Sequence, residues 1–396
     1  MRAVLLAGGI SMALTLFATP LFIWLFRKLN WGQFIRADGP ATHITKHGTP
    51  TMGGIAIILA TLAGYFFSKL ANFETPTISA LLVLLMMVGL GLVGFIDDYI
   101  KVHKQRSLGL TGWQKILGQG IVAVTFAVLS LQFANQVGLT PASTKISIFR
   151  DTNLDLMVFG SVVGIILFVI WIYLLVAGTS NGVNIADGLD GLATGAIIMA
   201  IGAYSIIGFW QFNQDCQTVV ENVASCYNVR DPLDLAVVAS AIVGACAGFL
   251  WWNTSPAQIF MGDTGSMLIG LLMAASSIML TGQVDPGGLS GGTLFPAFLP
   301  IVLPLSILAV PLLDLLLAVV RRTRKGRSPF SPDKEHLHHR LLKLGHGQER
   351  AVLIMTAFTG LLAFGAVSTA FVPVWVTGLG AGLGVVALAS WVLNPP

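Results

Sequence analysis

Charged side chains are scarce in this chain of 396 residues, of which only 10% are Asp, Glu, Lys or Arg and 55% are hydrophobic. Soluble domains carry roughly 25% charged residues, so the composition excludes an ordinary soluble protein. The sequence also lacks repeats, low-complexity tracts and any polar stretch long enough to form a separate domain. What it has instead is 44 glycines, which allow transmembrane helices to pack closely. These features predict an all-α, polytopic integral membrane protein.

Apolar runs of about 20 residues, the length needed to cross a bilayer, recur along the chain. The first is too long for a signal peptide and has no small-residue cleavage site, so we expect it to be retained. One integral membrane domain over residues 1–396, with about eleven transmembrane helices, is therefore predicted. The predicted spans lie near 3–26, 53–68, 77–96, 115–134, 156–177, 189–210, 233–252, 265–281, 294–320, 351–371 and 374–393.

Basic residues are distributed unevenly between the loops, because most of the 22 Lys and Arg residues follow spans 1, 3 and 9. Positively charged loops stay in the cytoplasm, so the N-terminus is predicted outside and the loops after spans 1, 3, 5, 7 and 9 inside. Eleven spans would leave the C-terminus inside. The formal net charge of +4 is explained by this topology and implies no nucleic-acid partner.

Cysteine is nearly absent, with three residues in the chain. Cys246 lies within span 7, where we expect it to contribute to packing. Cys216 and Cys226 share the predicted outer loop between spans 6 and 7, on the side of the membrane where a disulfide is permitted. Whether the two form one stays open from the sequence.

Charges are also missing from the middle of the spans, where a transporter would be expected to place them. The polar residues gather instead in the loops predicted to face the cytoplasm. This distribution favours an enzyme that works at the membrane surface. A transporter or flippase is the distant alternative.

Two adjacent aspartates, Asp97 and Asp98, close the third apolar run. Charges in a membrane segment mark a functional site, unless these two simply lie in water past the membrane edge. Adjacent carboxylates favour a strongly charged cation, and Mg²⁺ prefers one or two carboxylates together with phosphate oxygens. Lys101 and Lys115 follow in the same loop and suit a phosphorylated substrate or lipid headgroups, although the orientation rule predicts some of them too. Asp263, just before span 8, would supply a third carboxylate or cap a helix.

Two other predicted cytoplasmic loops are rich in glycine and polar residues. The first holds Lys46 and Thr51, which suit a phosphate group; the alternative is a turn that opens span 2. The loop between spans 5 and 6 places Asn184, Asp187 and Asp190 three residues apart, so that consecutive pairs share a face if the segment is helical. A structural turn needs fewer such residues, so we predict a function for this series.

The last predicted cytoplasmic loop, residues 321–350, begins with a basic cluster suited to anionic lipid. A short amphipathic helix is predicted to follow, with Leu337, Leu341 and Leu344 on the face that lies in the membrane interface. A zinc site built from the nearby histidines is disfavoured, because they do not share one face and no cysteine joins them. Phosphate binding by the basic face is favoured instead.

Five motifs, occurring in order, carry a resemblance to a known family. The chain resembles the polyprenyl-phosphate N-acetylhexosamine-1-phosphate transferases, and over about residues 1–265 their branch that transfers phospho-N-acetylmuramoyl-pentapeptide. The motifs are Asp38–Pro40, Gly48–Gly54, Gly94–Tyr99, Asn184–Gly191 and Phe260–Asp263.

From about residue 266 onward the chain departs from that branch. It has His336, His338 and His339 interrupted by a leucine, where the branch has three consecutive histidines. That pattern, and the eleventh span, resemble the sister branch that transfers N-acetylglucosamine-1-phosphate (the WecA or TagO type). The sequence therefore predicts two parts, 1–265 and 266–396, and a natural mosaic or a fusion of the two branches.

The resemblance implies a reaction in which undecaprenyl phosphate attacks a UDP-amino sugar, so that UMP leaves and a lipid-linked sugar diphosphate forms. It implies Mg²⁺ as cofactor, held by Asp263 and Asp98, with Asp97 as base, orienter or nucleophile. Catalytic roles then fall to Asp97, Asp98, Asp263 and His338. The implied substrate-binding residues are Lys46, Thr51, Lys101, Lys115, Asn184, Asp187, Asp190, His336 and His339.

The expected product is lipid I of peptidoglycan synthesis, made from UDP-N-acetylmuramoyl-pentapeptide. The alternative is the same chemistry on UDP-N-acetylglucosamine. The resemblance also implies a multi-pass protein of the bacterial inner (plasma) membrane, in contact with membrane lipids and with its catalytic loops in the cytoplasm. The oligomeric state, a homodimer included, is not settled by the sequence.

Overall fold

The computed structural model describes residues 1–32, 48–106, 109–135, 138–144, 155–186, 189–213, 230–267, 320–324, 326, 337–369 and 371–394. These residues are almost entirely helical and contain no β-strand, which confirms the predicted all-α fold. Their elements are α1 Arg2–Lys28, α2 Gly54–Asn72, α3 Ile78–His103, α4 Gly112–Ser130, a 3-10 turn Leu156–Phe159, α5 Ser161–Ala186, α6 Leu192–Phe212, α7 Pro232–Asn253, α8 Leu337–Lys343, α9 Gln348–Ser368 and α10 Val374–Leu393.

Nine helices among the described residues are long and apolar enough to cross a membrane: all except α8. They coincide with nine of the eleven predicted spans, and the protein is therefore polytopic. The predicted spans near 265–281 and 294–320 lie almost wholly outside the described residues, as does the predicted Cys216–Cys226 pairing. The orientation in the membrane stays a prediction.

Helix α3 continues well past the apolar run that defined its predicted span. It starts behind Thr77, whose side-chain oxygen accepts a hydrogen bond from the Ala80 backbone N–H at 3.3 Å, and it ends at His103. Asp97 and Lys101 stand four residues apart and form an ion pair of 2.6 Å, a spacing that supports the last turns of the helix. The aspartate pair is consequently held on a helix, not in a loop.

Helix α7 lies at the centre of the described bundle, where it packs against α1, α2 and α6. The contact with α1 depends on glycine, because a Cβ atom on Gly244 would overlap the Gly8 carbonyl oxygen. Further along the same pair, the Trp252 indole N–H donates to the Leu16 carbonyl at 2.9 Å. Small residues thus bring the two backbones together, as is usual for helices in lipid.

Helices α8, α9 and α10 attach to the bundle beside α6. Leu189 and Leu192, at the start of α6, form an apolar cluster with Leu341 of α8 and three residues of α9: Ala351, Ile354 and Met355. The predicted short helix is present as α8, with Leu341 buried in this cluster, whereas Leu344 lies beyond α8 and is half exposed; the placement in the membrane interface stays a prediction.

Loops from three regions of the chain meet at one end of the bundle, here called the carboxylate end. Gly53, before α2, donates its N–H to the Phe260 carbonyl after α7 at 2.9 Å. Ala257, also after α7, donates to the carboxylate of Asp190 before α6 at 3.4 Å. At the opposite end of the bundle, the Ser68 hydroxyl near the end of α2 donates to the Ala3 carbonyl near the start of α1, so α1 and α2 are antiparallel. The prediction that the polar loops gather at one face is confirmed for these segments.

Candidate active site

Three carboxylates converge at the carboxylate end: Asp97 and Asp98 on α3, and Asp263 on a helical segment over 262–267. One oxygen atom from each lies within 4.8 Å of the others. Asp97 is 0% and Asp98 is 2% exposed, so the alternative in which they are solvated is wrong, while their function stays a prediction. Buried charges persist only when they are paired, so neighbouring groups must compensate the charges of these two aspartates.

Two lysines neutralise this carboxylate cluster. The Lys101 ammonium lies 2.6 Å from Asp97, 3.0 Å from Asp263 and 3.4 Å from Asp98. The Lys115 ammonium, from α4, lies 2.6 Å from Asp263 and 3.1 Å from Asp97. With all five groups ionised, three carboxylates and two ammonium groups carry a formal charge of −1, which would attract a cation.

The carboxyl group of Asp263 is strongly affected by these neighbours. Burial alone would raise its pKa, but the ammonium groups of Lys101 and Lys115 outweigh burial and hold the pKa of Asp263 well below its usual range. Asp263 is therefore ionised throughout the physiological pH range. A carboxylate in that state is available to bind a cation at neutral pH.

Backbone and hydroxyl donors fix the orientation of the α3 pair. Thr264 donates to the Asp98 carboxylate twice, from its N–H at 3.0 Å and from its hydroxyl at 2.9 Å. The Leu110 N–H donates to Asp97 at 2.7 Å from the loop before α4. The two Thr264 bonds share one oxygen of Asp98, and the Leu110 bond uses one oxygen of Asp97. The second oxygen of each aspartate faces Lys101, so both aspartates hold a fixed oxygen in the cluster.

The loop before α2 closes over the same cluster. Thr51 is buried, and its backbone N–H donates to the Trp31 carbonyl at 3.2 Å. Opposite it, Gly262 has a φ of +73°, a conformation that favours glycine. A Cβ atom at this glycine would collide with a carboxylate oxygen of Asp98 and lie 2.9 Å from the Thr51 hydroxyl. The predicted phosphate-binding residue Thr51 therefore sits directly at the carboxylate cluster.

Replacing Gly262 by alanine is expected to lower turnover by tenfold or more, because the new methyl group displaces the Asp98 carboxylate. Gly138→Ala is the matched control, since Gly138 also has a positive φ, +85°, but nothing lies within 4 Å of its would-be Cβ atom. Both variants carry a backbone strain of roughly 1–2 kcal/mol. Turnover is measured as release of the nucleotide that the resemblance implies as a product. Equal turnover in the two variants would show that the contact with Asp98 is irrelevant.

Asp190 joins the site region from the other side. It is buried, precedes α6 and accepts the Ala257 N–H described above. Nearby, the Thr194 hydroxyl donates a hydrogen bond to the Asn253 side chain at 2.8 Å, and the Asn253 amide donates to the Ile259 carbonyl at 2.9 Å. These bonds hold the segment after α7 in place and so position Asp263 at its far end.

The remaining predicted site residues are described only in part. Asn184 lies on α5, and His338 and His339 lie on α8, beside the cluster that contains Leu189. The side chains of these three residues, and all of Lys46, Asp187 and His336, lie outside what the structure describes. Their roles stay predictions.

Two residues at the site were missed by the sequence analysis. Thr264 directly follows Asp263, so its place in the motif was a usable signal that the prediction overlooked. Leu110 offers only its backbone N–H to Asp97, and a backbone contact across the loop leaves no mark in the type of side chain.

The three carboxylates fit the magnesium ion that the resemblance implies. They offer hard oxygen ligands that lie within 4.8 Å of one another and could hold a metal ion, and Mg²⁺ in proteins is bound through one or two carboxylates with phosphate oxygens completing the shell. Lys101 and Lys115 contact an oxygen of Asp263, so a cation bound to that oxygen would compete with both ammonium groups.

Comparison with known proteins places this arrangement in a class. Residues 80–281 match the model of glycosyl transferase family 4, and residues 46–58 match signature 1 of the phospho-N-acetylmuramoyl-pentapeptide-transferases. The larger match contains Asp97, Asp98 and Asp263, and the smaller one contains Lys46 and Thr51. The chain is thus a membrane-embedded member of a transferase family.

Relatives with assigned names identify the family within this class of transferases. A phospho-N-acetylmuramoyl-pentapeptide-transferase of Clavibacter michiganensis is 62% identical over 287 residues, which cover 70% of this chain and 78% of the relative. The transferase of that name from Kineococcus radiotolerans is 49% identical over 381 residues, covering 96% of this chain and 100% of the relative. The chain belongs to the phospho-N-acetylmuramoyl-pentapeptide-transferase family.

The Kineococcus match also bears on the choice between the two sugars. It covers nearly the whole chain, the segment after residue 265 included, under the name of the pentapeptide transferase. The shared names support phospho-N-acetylmuramoyl-pentapeptide transfer over the N-acetylglucosamine alternative. The division at residue 265 and the predicted mosaic stay predictions.

Proposed function

We propose that this protein transfers phospho-N-acetylmuramoyl-pentapeptide from its UDP derivative to undecaprenyl phosphate, producing lipid I and UMP. The observation that carries the proposal is the cluster of three carboxylates and two lysines, two of the carboxylates buried, at the end of a membrane helix bundle. Phosphoryl transfer needs charge neutralisation and positioning more than covalent protein chemistry, and this cluster supplies both.

The reaction balances without a further reactant. An oxygen of the lipid phosphate forms a bond with the β-phosphorus of the UDP-sugar, the bond from that phosphorus to the UMP oxygen breaks, and UMP leaves with the electron pair. A phosphate monoester is already largely ionised at pH 7, so no strong base is required to activate it. We therefore assign Asp97 to orienting the attacking phosphate, with its geometry set by the Leu110 N–H.

Asp98 and Asp263 would hold Mg²⁺, which when bound neutralises charge on the diphosphate oxygens. Thr264 keeps the Asp98 carboxylate aligned through its two hydrogen bonds. Lys101 and Lys115 turn from the carboxylates to the phosphate groups once these groups are present. Two flexible ammonium groups are suited to this exchange, because Lys is a compact charge on a long, rotatable stem.

The remaining roles follow the family resemblance. Lys46 and Thr51 would bind phosphate oxygens, and Asp190, with Asn184 and Asp187, would bind the nucleotide. The three histidines of the last loop, His336, His338 and His339, would face the sugar or its diphosphate, with His338 closest to the chemistry. The apolar contact between α8 and the start of α6 supports a site shared by these two groups of residues.

We place the protein in the bacterial plasma membrane with the carboxylate end in the cytoplasm. Basic residues concentrate in the loops at that end, and the nucleotide substrate is a cytoplasmic metabolite of high charge. The polyprenyl substrate shares the bilayer with the helices. The exposed apolar faces of the bundle could be covered by a second copy of the chain or by lipid, so they are compatible with a homodimer and do not require one.

The test is to supply the purified protein with undecaprenyl phosphate, Mg²⁺ and one UDP-sugar at a time, and to follow UMP release. We expect release with UDP-N-acetylmuramoyl-pentapeptide and none with UDP-N-acetylglucosamine. Removing the metal with a chelator is expected to stop the reaction, and adding excess Mg²⁺ should restore it. Release with UDP-N-acetylglucosamine alone would contradict the proposal, and release with neither would favour a non-enzymatic role.

A further inference from the structure

Helix α4 carries a second polar residue on the face that holds Lys115. Gln119 lies four residues further along, so the two side chains are neighbours on the helix surface. Gln119 is 1% exposed and is the first member of the buried face of α4. All the residues of that face that follow it are small or apolar: Ala123, Phe126, Ala127 and Ser130.

The neighbours of Gln119 on α4 locate it within the bundle. A Cβ atom on Gly118 would lie 3.0 Å from the Val93 methyl groups of α3, and one on Gly120 would lie 3.8 Å from the Tyr173 ring of α5. Gln119 stands between these two contacts and therefore faces the space between α3 and α5. Since Val93 precedes the α3 aspartates by one turn, the amide lies one turn deeper in the bundle than the carboxylate cluster.

The side-chain amide of Gln119 is buried. Both its oxygen and its nitrogen lack a hydrogen-bond partner among the residues that the structure describes. Removing an amide from water without replacing its hydrogen bonds is costly, and a leucine or methionine would fill the same place at no such cost. A buried polar group of this kind requires an explanation, and one explanation is a partner that arrives with the substrates.

We propose that Gln119 is a positioning residue that acts through Lys115, with its amide paired only when the phosphate groups of the substrates are bound. The Lys115 ammonium contacts Asp263 and Asp97. To meet a phosphate group it has to leave these carboxylates. The Gln119 amide oxygen then accepts a hydrogen bond from the ammonium and holds it beside the phosphate. This inference rests on the proposed function, because it requires a phosphorylated substrate.

The decisive variant is Gln119→Met, which keeps the volume and removes both polar atoms. We expect its apparent melting temperature without substrates to equal or exceed that of the wild type, because an uncompensated amide has been removed. We also expect kcat for UMP release to fall roughly ten- to a hundred-fold, the value of one hydrogen bond to a charged group, with a smaller change in KM. Gln119→Glu retains the acceptor oxygen and should recover part of the lost rate.

Tyr204→Phe is the matched control. The Tyr204 hydroxyl is also fully buried and without a hydrogen-bond partner in the described part of the chain, but it lies on α6, roughly 18 Å along the helix from Leu192. We expect this variant to keep the wild-type kcat. The inference is overturned if Gln119→Met is clearly less stable than the wild type, or if it keeps the wild-type kcat. A wild-type protein that releases no UMP would contradict the proposed function instead, so the two failures are distinct.

Discussion

Asp263→Asn is expected to reduce UMP release by about a thousand-fold or more, since the charge stabilisation that a bound metal ion supplies is worth several kcal/mol. Asp263 is the carboxylate closest to Lys115, at 2.6 Å, and it is the one whose pKa is held well below its usual range. The asparagine has nearly the same shape but no charge, so it weakens the attraction for both Mg²⁺ and the lysines. Turnover is measured with saturating UDP-N-acetylmuramoyl-pentapeptide and undecaprenyl phosphate across a series of Mg²⁺ concentrations.

The fold is expected to survive this change, because Asp97 and Asp98 remain to neutralise the two lysines. The apparent melting temperature in detergent should therefore stay close to that of the wild type. Glu74→Gln serves as the control for loss of one acidic charge, since Glu74 is partly exposed and lies at the opposite end of the bundle. Activity of Asp263→Asn near the wild-type level would show that the metal assignment is wrong.

Asp234→Ala is expected to destabilise the protein by about 3–5 kcal/mol, the range for removing one partner of a buried ion pair. Asp234 is buried at the end of the bundle opposite to the carboxylate cluster. It accepts hydrogen bonds from the Tyr65 hydroxyl at 2.9 Å and from the Thr77 N–H and hydroxyl at 3.0 and 2.7 Å. The Lys69 ammonium lies 2.6 Å from its other oxygen. One side chain thus joins α2, the start of α3 and α7.

Substitutions of the partners are expected to form a graded series, measured as apparent melting temperature in detergent. Lys69→Met should cost less than Asp234→Ala, because the aspartate keeps its three other donors. Glu74→Gln should cost least, at roughly 0–1 kcal/mol, since Glu74 is 44% exposed where it pairs with Lys69. All three variants lie far from the carboxylate cluster and should keep the wild-type kcat per folded molecule.

The opposite order of stabilities would show that Asp234 is not the centre of this network. A selective loss of kcat without a loss of stability would likewise contradict a purely structural role for it. Neither result would affect the assignments at the carboxylate end, because the two clusters share no residue.

Much of the architecture follows from the order of residues alone. The bilayer demands long apolar segments with satisfied backbone hydrogen bonds, so nine predicted spans reappear as helices among the described residues. The three aspartates were predicted as one site because charge is rare near membrane segments, and each lies next to a span. For the same reason Lys101 and Lys115 were predicted as part of the site, although their expected partners were phosphate groups.

Other features could not be predicted, because they depend on distances across the bundle. Whether Asp97 and Asp98 were buried or solvated was left open by the sequence, and burial is a property of the packed helices. The network around Asp234 was missed, since its bonds to Thr77 and Tyr65 join residues 157 and 169 positions apart. The Leu110 N–H that orients Asp97 belongs to the backbone, which is the same in every residue type.

The sequence by itself determined that this chain is a helical membrane protein with polar loops between its spans, because the hydrophobic length of each span and the sparseness of charge depend on residue order alone. Only the tertiary structure decided that Asp97, Asp98 and Asp263 share one cluster with two lysines, and that Gln119 lies beneath it with no hydrogen-bond partner in the described part of the chain. Side-chain pairing across helices is set by how their surfaces pack, and packing is determined by the whole bundle at once.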